Sequence, residues 1–337
     1  HNSTFFLFLP EIIIVFVACF LCIADLFIEK SNKVILYYLC QSCLLFSFFI
    51  LLYIWNSERI YLFGGSIVLD NICIILKLVI IFVMFIIFLY TKVYTVSFDM
   101  FVGEFFILFL FCTLGMMIMV SSANFLSLYL GLELLSLSLY SLIAMYKKYS
   151  YAFEESMKYF IIGSLSTAFL LLGISFIYGI SGSINFSEIS LIIMEQGLST
   201  NILIQFGLVF ILCGVSFKFG AVPFHMWLPD IYQGSPTSIT MLISTVPKVA
   251  ALGMAYRILL DVFGYMSYEW ELLIIFMSVL SLFVGNIVAI AQNNIKRMLA
   301  YSTISHVGFV YLGVISGMGD GYISVMFYVV VYVIMIL

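Results

Sequence analysis

Charge is the scarcest property of this sequence. Asp, Glu, Lys and Arg make up only 9% of its 337 residues, where a soluble domain carries about 25%, and that shortage excludes a water-soluble globular protein. Arginine occurs only at positions 59, 257 and 297, and thirteen basic against seventeen acidic residues leave a formal net charge of −4. No basic surface is available to neutralise a phosphate backbone, so nucleic acid is not a partner. Phosphate-cradling loops are missing as well. There is no P-loop and no G-x-G-x-x-G after a strand, and the glycines at 317, 319 and 321 have neither that spacing nor a preceding strand. No dinucleotide or other cofactor is expected on this chain, and any redox chemistry belongs to another. Residues 1–4 lack the basic start and small-residue cleavage site of a signal peptide, so the first apolar run reads as a permanent span.

What the chain does have is apolar length: 65% hydrophobic residues, 18% aromatic, and a mean hydropathy of +1.24. A bilayer-spanning helix needs about 20 apolar residues. Runs of that kind fall at 5–28, 34–55, 71–91, 101–120, 123–145, 156–179, 200–222, 238–260, 269–292, 297–317 and 321–337. They are too long and too continuous for the alternating strands of a barrel. The expected fold is an all-α polytopic membrane protein with about eleven transmembrane helices. Segment 183–197, half polar and carrying Glu188 and Glu195, is expected to be an interfacial helix or a loop.

Numbering the connections alternately tests these spans. Lys30, Lys33, Lys92, Lys147, Lys148, Lys296 and Arg297 fall on one side, and Arg59 and Arg257 on the other with Glu58, Glu188, Glu195, Asp261, Glu269, Glu271 and Asp320. By the positive-inside rule the N-terminus lies outside. Abundant Phe (35) and Tyr (22) beside three Arg suggest AT-rich, organellar coding, hence the mitochondrial inner membrane, with the bacterial plasma membrane as the alternative. In a mitochondrion the N-terminus would face the intermembrane space. The chain begins with His1 and stops at Leu337 inside an apolar run, so a further C-terminal portion is expected, on this or a separate chain.

An ionisable residue deep in an apolar run is costly unless it faces protein, water or a partner, which marks it as a functional candidate. Lys77, Glu133, Lys218 and Lys248 are of this kind. Lys218 precedes Val222-Pro223 by four residues, and proline removes a backbone donor and disfavours helix at the residue before it, so the helix is expected to break just after Lys218. Such a break is tolerated at membrane depth only where protein or a water-filled cavity satisfies the freed backbone groups, as at the ion sites of transporters. His225 follows the break, and Pro247 disturbs the helix just ahead of Lys248. Desolvation disfavours a charged lysine and a nearby carboxylate favours it, so Glu133, Lys218, Lys248 and His225 together outline a proton relay.

Simpler roles stand beside this one. A buried Lys–Glu pair also fixes helix register, and His306 reads as a satisfied core histidine. Glu154, Glu155 and Lys158 open a helix as an ion-paired turn. Cys19-x-x-Cys22 and Cys40-x-x-Cys43 have metal-site spacing, but both lie in apolar spans without basic neighbours to stabilise thiolates, so no metal is expected.

Phe217–Thr237 reads FKFGAVPFHMWLPDIYQGSPT, Ser244–Lys248 reads STVPK, Asn294–Gly308 reads NIKRMLAYSTISHVG and Lys158–Ser164 reads KYFIIGS. These stretches resemble the antiporter-like membrane subunits of respiratory complex I, NADH:ubiquinone oxidoreductase, and the D-x-Y-Q-G-S-P-T ending resembles the subunit-2 branch. The resemblance runs from about 123 to 330. It implies an expected fourteen-helix antiporter-like inverted-repeat fold with a discontinuous seventh helix. Residues 1–100 would then be an N-terminal three-helix segment, 101–262 the first repeat (helices four to eight) and 263–337 an incomplete second repeat. It also implies proton translocation without a redox centre on this chain, Glu133 on the fifth helix, Lys218 on the seventh and Lys248 on the eighth, with a further lysine beyond Leu337. Implied partners are membrane lipids and other hydrophobic subunits, with NADH, flavin, iron–sulfur clusters and ubiquinone on partner subunits. The alternatives are a cation/proton antiporter subunit of related fold and a structural membrane spacer.

Overall fold

A computed structural model of the chain describes residues 2–28, 33–55, 58–97, 103–145, 150–316 and 320–337. Lys30, Lys147, Lys148, Gly317, Gly319 and the expected span limits at 101 and 317 lie outside these residues. The elements are α1 (Asn2–Leu7), α2 (Leu9–Ala24), α3 (Val34–Tyr53), β1 (Ile60–Leu62), β2 (Ile67–Leu69), α4 (Asn71–Ser97), α5 (Gly103–Ser121), α6 (Phe125–Ala144) and α7 (Ser150–Ser181). There follow α8 (Phe186–Glu195), α9 (Ile202–Phe219), α10 (Trp227–Gly234), α11 (Thr237–Ser244), α12 (Val246–Tyr256), α13 (Ser267–Ile290), α14 (Ile295–Ile315) and α15 (Asp320–Ile336). A π-helical turn, Arg257–Val262, continues α12.

The chain is an all-α polytopic membrane protein. Among the described residues nine helical segments are long and apolar enough to cross a bilayer, at the second to tenth expected positions, while the first and last hold the shorter apolar helices Leu9–Ala24 and Gly321–Ile336. The expected single span 5–28 is two helices. Pro10 sits in the first turn of α2, and its ring would collide with a carbonyl one turn earlier, so the helix restarts after Phe8. The expected span 238–260 is likewise interrupted. It stops at Ser244, bends at Thr245 (φ −110°, ψ −85°) and restarts with Pro247 in the first turn of α12. Segment 183–197 contains α8, an amphipathic helix that buries Phe186, Ile189 and Ile193.

The residues pack as two compact units, His1–Phe153 with Pro236–Gly253, and Glu154–Ser235 with Met254–Leu337. In the first, α2 packs on α3 and α5, α3 on α4, and α11 on α4 and α6. The pair α5–α6 is closest, because Gly115 and Gly131 let the backbones touch: a Cβ on Gly131 would lie 2.8 Å from the Met119 nitrogen and 2.9 Å from the Gly115 oxygen. Small residues at helix crossings are how membrane helices gain packing contact. The antiparallel hairpin β1–β2 was not expected. Its strands Ile-Tyr-Leu and Ile-Val-Leu are joined by Phe63-Gly64-Gly65-Ser66, where three successive residues take positive φ, a conformation glycine adopts without penalty.

In the second unit α13 and α14 are most intimate, with a Cβ on Gly285 falling 2.6 Å from the Ser305 nitrogen. There α10 packs on α14, α14 on α15, and α8 on the π-helical turn.

Candidate functional site

The centre of interest in the second unit is the end of α9. Asn201 caps its N-terminus, Oδ1 accepting from the Leu203 N–H at 3.0 Å. Eighteen apolar-rich residues later the helix ends at Phe219, one residue past Lys218, where Pro223 predicts the break. Gly220 turns left-handed (φ +78°), and its N–H and that of Ala221 donate to the Phe217 and Ser216 carbonyls at 3.0 Å each. This is the six-to-one and five-to-two closure that glycine permits. Side chains add two further bonds at the break. Trp227 Nε1 donates to the Phe217 carbonyl at 3.1 Å, and the Val222 N–H donates to Ser281 Oγ at 2.9 Å. Tyr159 stacks on Trp227 with ring centroids 4.7 Å apart, holding the indole in place.

Lys218 is half-buried in the last turn of α9, where uncapped carbonyls favour a cation. Its ammonium lies 5.6 Å from the centroid of the Phe217 ring. His225, also half-buried, stands at the far end of the same break, its carbonyl accepting from the Leu228 N–H at 3.0 Å. The structure thus sets Lys218 and His225 at the two ends of one interruption.

Hydroxyl groups join helices within this unit. Tyr311 OH donates to Ser216 Oγ at 2.9 Å, and Tyr332 OH donates to Thr303 Oγ1 at 2.9 Å. His306 Nδ1 lies 2.7 Å from Tyr328 OH. At the end of α10, Lys296 Nζ donates to the Ser235 carbonyl at 2.8 Å, while Arg297 pairs with Asp230 at 2.6 Å and donates to Gln233 and Gln292. Lys158 bridges Glu154 at 2.9 Å and Glu155 at 3.0 Å, within the first turns of α7.

The first unit holds Glu133, Lys248 and Lys77. Glu133 is half-buried on α6, two residues past the Gly131 crossing, and Asn124 caps that helix by accepting from Ser127 N–H at 2.7 Å. Lys248 is 3% exposed and starts α12, its N–H donating to the Thr245 carbonyl at 3.0 Å. Gly253 brings α12 against Val120 of α5 and Leu76 of α4. Lys77 pairs with Glu11 at 2.5 Å, both fully buried.

Sequence reasoning passed over three of these features. Glu11 hides in the first turn of a helix behind Pro10, the one signal it had. Arg257, 1% exposed, pairs with Asp261 at 3.2 Å, and their i,i+4 spacing was the clue. The Tyr311–Ser216 bond joins residues 95 apart and has no local signature. Cys40 and Cys43 are buried whereas Cys19 and Cys22 are exposed, so the two pairs do not share one environment.

Residues 122–337 match the NADH:quinone oxidoreductase/Mrp antiporter transmembrane family. NADH-quinone oxidoreductase subunit N of Thioalkalivibrio sulfidiphilus is 44% identical over 97% of this chain and 68% of its own length. The subunit N of Ruthia magnifica is 45% identical over 99% and 69%. The chain belongs to this family. A chain of respiratory complex I from Thermus thermophilus superposes with a TM-score of 0.81 at 27% identity, covering 97% of this chain and 68% of that one. A chain of the membrane-bound sulfane sulfur reductase, an archaeal respiratory membrane complex, gives 0.83 at 26% identity, covering 98% and 69%.

Proposed function

We propose that the chain is a non-redox, proton-translocating membrane subunit of NADH-quinone oxidoreductase, relaying protons through Glu133, Lys218 and Lys248, with His225 exchanging protons beside the broken helix. One observation carries the reading. Helix α9 ends one residue after Lys218, and at the break the Ser216 and Phe217 carbonyls and the Val222 amide are met by the glycine closure, Trp227 and Ser281. An interruption kept and satisfied in this way is the form an ion site takes in a membrane. Burial disfavours an ammonium and an approaching carboxylate favours it, so a change of field around a buried lysine switches it between holding and releasing a proton. Quinone reduction elsewhere in the assembly supplies the energy for that change.

In this reading the partners are other hydrophobic subunits and membrane lipids, and NADH, flavin, iron–sulfur clusters and ubiquinone are held by partner subunits. The bacterial relatives favour the plasma membrane over the mitochondrial inner membrane, with the N-terminus outside by the charge rule. The implied repeats, 101–262 and 263–337 after the segment 1–100, belong to the same proposal. In membrane vesicles bearing the assembled complex, Lys218→Met and Glu133→Gln are expected to lower protons pumped per NADH oxidised while assembly persists; unchanged pumping overturns the relay. The matched family also includes Mrp antiporters, so cation/proton antiport is the second reading. Sodium transport by this chain without NADH-oxidising partners would favour it.

A further inference from the structure

The Glu11–Lys77 pair lies outside the residues assigned above. Lys77 on α4 is 0% exposed and Glu11 on α2 is 1% exposed, and Nζ stands 2.5 Å from Oε1. Removing two charges from water is expensive, and the expense is recovered only when further hydrogen bonds satisfy the remaining lone pairs and protons. Here Glu11 Oε2 is buried and makes no hydrogen bond among the described residues. The buried Cys73 thiol stands one turn earlier on α4. A register lock alone would be better served by a fully bonded carboxylate.

The pair is also close to a surface. The Phe8 ring centroid lies 6.0 Å from the Lys77 ammonium, Phe8 packs edge-on against Phe63 at 5.2 Å, and Phe63 is an exposed residue at the tip of the β1–β2 hairpin. A short aromatic plug thus covers the pair on the hairpin side.

We propose that Glu11 and Lys77 form a second proton-exchanging site of this chain, opening toward the β1–β2 hairpin past Phe8 and Phe63. In the exchange an N–H bond of the Lys77 ammonium breaks and an O–H bond forms on the Glu11 carboxylate. A charged pair becomes a neutral amine and carboxylic acid with no net change of charge. Through Oε2, to which no described residue donates, the carboxylic acid then yields its proton to water on the hairpin side, and the neutral Lys77 amine takes up a second proton from water to restore the ammonium beside the carboxylate. The site rests on the reading of the chain as a proton carrier but uses none of the relay residues.

The test is infrared difference spectroscopy of the assembled complex during NADH turnover, alongside pumping in vesicles. A protonated-carboxyl band is expected on turnover, shifted by Glu11→Asp and lost in Glu11→Gln. The neutral pair Glu11→Gln with Lys77→Met is expected to assemble and to pump fewer protons per NADH than the parent. A band indifferent to Glu11→Asp, or full pumping by an assembled double variant, overturns the proposal and leaves the pair as a lock between α2 and α4. Should the double variant fail to assemble, the Glu11→Asp band shift decides alone. Lys218→Met separates the two readings. If it leaves pumping intact the relay fails, whereas the Glu11 band reports only on the N-terminal pair.

Discussion

The backbone N–H of Val222 donates to Ser281 Oγ at 2.9 Å, and Ser281 in turn donates to the Met277 carbonyl at 2.6 Å. One hydroxyl therefore ties the break after Lys218 to the middle of α13. Ser281→Ala leaves a buried amide without a partner, which costs about 1–3 kcal/mol. Amide exchange of the 219–223 segment in the purified complex is expected to accelerate by about tenfold or more. Exchange unchanged by the substitution would show that the break is held by other means.

The glycine crossing of α5 and α6 gives a second prediction. A Cβ on Gly131 would meet backbone atoms of Met119 and Gly115, which have no rotamer by which to yield. Gly131→Val is expected to force the helices apart, at a penalty of about 3 kcal/mol or more. Because Glu133 lies two residues on, loss of pumping per NADH should exceed the loss of assembled complex measured on native gels. Equal losses would place the effect on folding alone.

Much of this was legible beforehand, for physical reasons that differ by residue. An ionisable group in an apolar run is conspicuous, so Glu133, Lys218 and Lys248 stand out, and Pro223 is a local stop signal that places the break just after Lys218. Lys77 was conspicuous too, but its partner was not, since a glutamate beside Pro10 reads as a helix start. The division at Phe8 and the hairpin at 60–69 depend on short segments whose apolar content blends with the spans around them. Tyr311 meeting Ser216, and Tyr332 meeting Thr303, are tertiary facts written in no periodicity.

Arg297 is a milder case. Its pair with Asp230 is 29% and 41% exposed on the two side chains, and exposed pairs contribute about 0–1 kcal/mol. Asp230→Asn is therefore expected to lower the melting temperature of the complex only slightly and in a salt-dependent way. Arg297→Ala, which also removes the bonds to Gln233 and Gln292, should cost more. A large shift for Asp230→Asn would mean that α10 depends on this charge.

Glu188 supplies a pH prediction. Donation from Ser183, then from Asn185, holds its carboxyl below the ordinary value of 4.5. The ionised form is the one favoured by folding. Its contribution is therefore present above the ordinary value and is lost as pH falls through the lowered one. Amide exchange at the start of α8 is expected to quicken across that acid window, and Glu188→Gln should abolish the pH dependence. The same dependence in the variant would assign it to another group.

The β1–β2 hairpin does more than connect α3 to α4. The Ser66 carbonyl accepts from the Ala123 N–H at 3.0 Å and from Ser127 Oγ at 2.8 Å, and Ile67 bridges to Ser122. Those bonds staple the corner between α5 and α6 to the loop that precedes α4. The first turn of the helix bearing Glu133 and the segment leading into the helix bearing Lys77 therefore share one hydrogen-bonded corner, so the two charges stand on helices anchored at a common point.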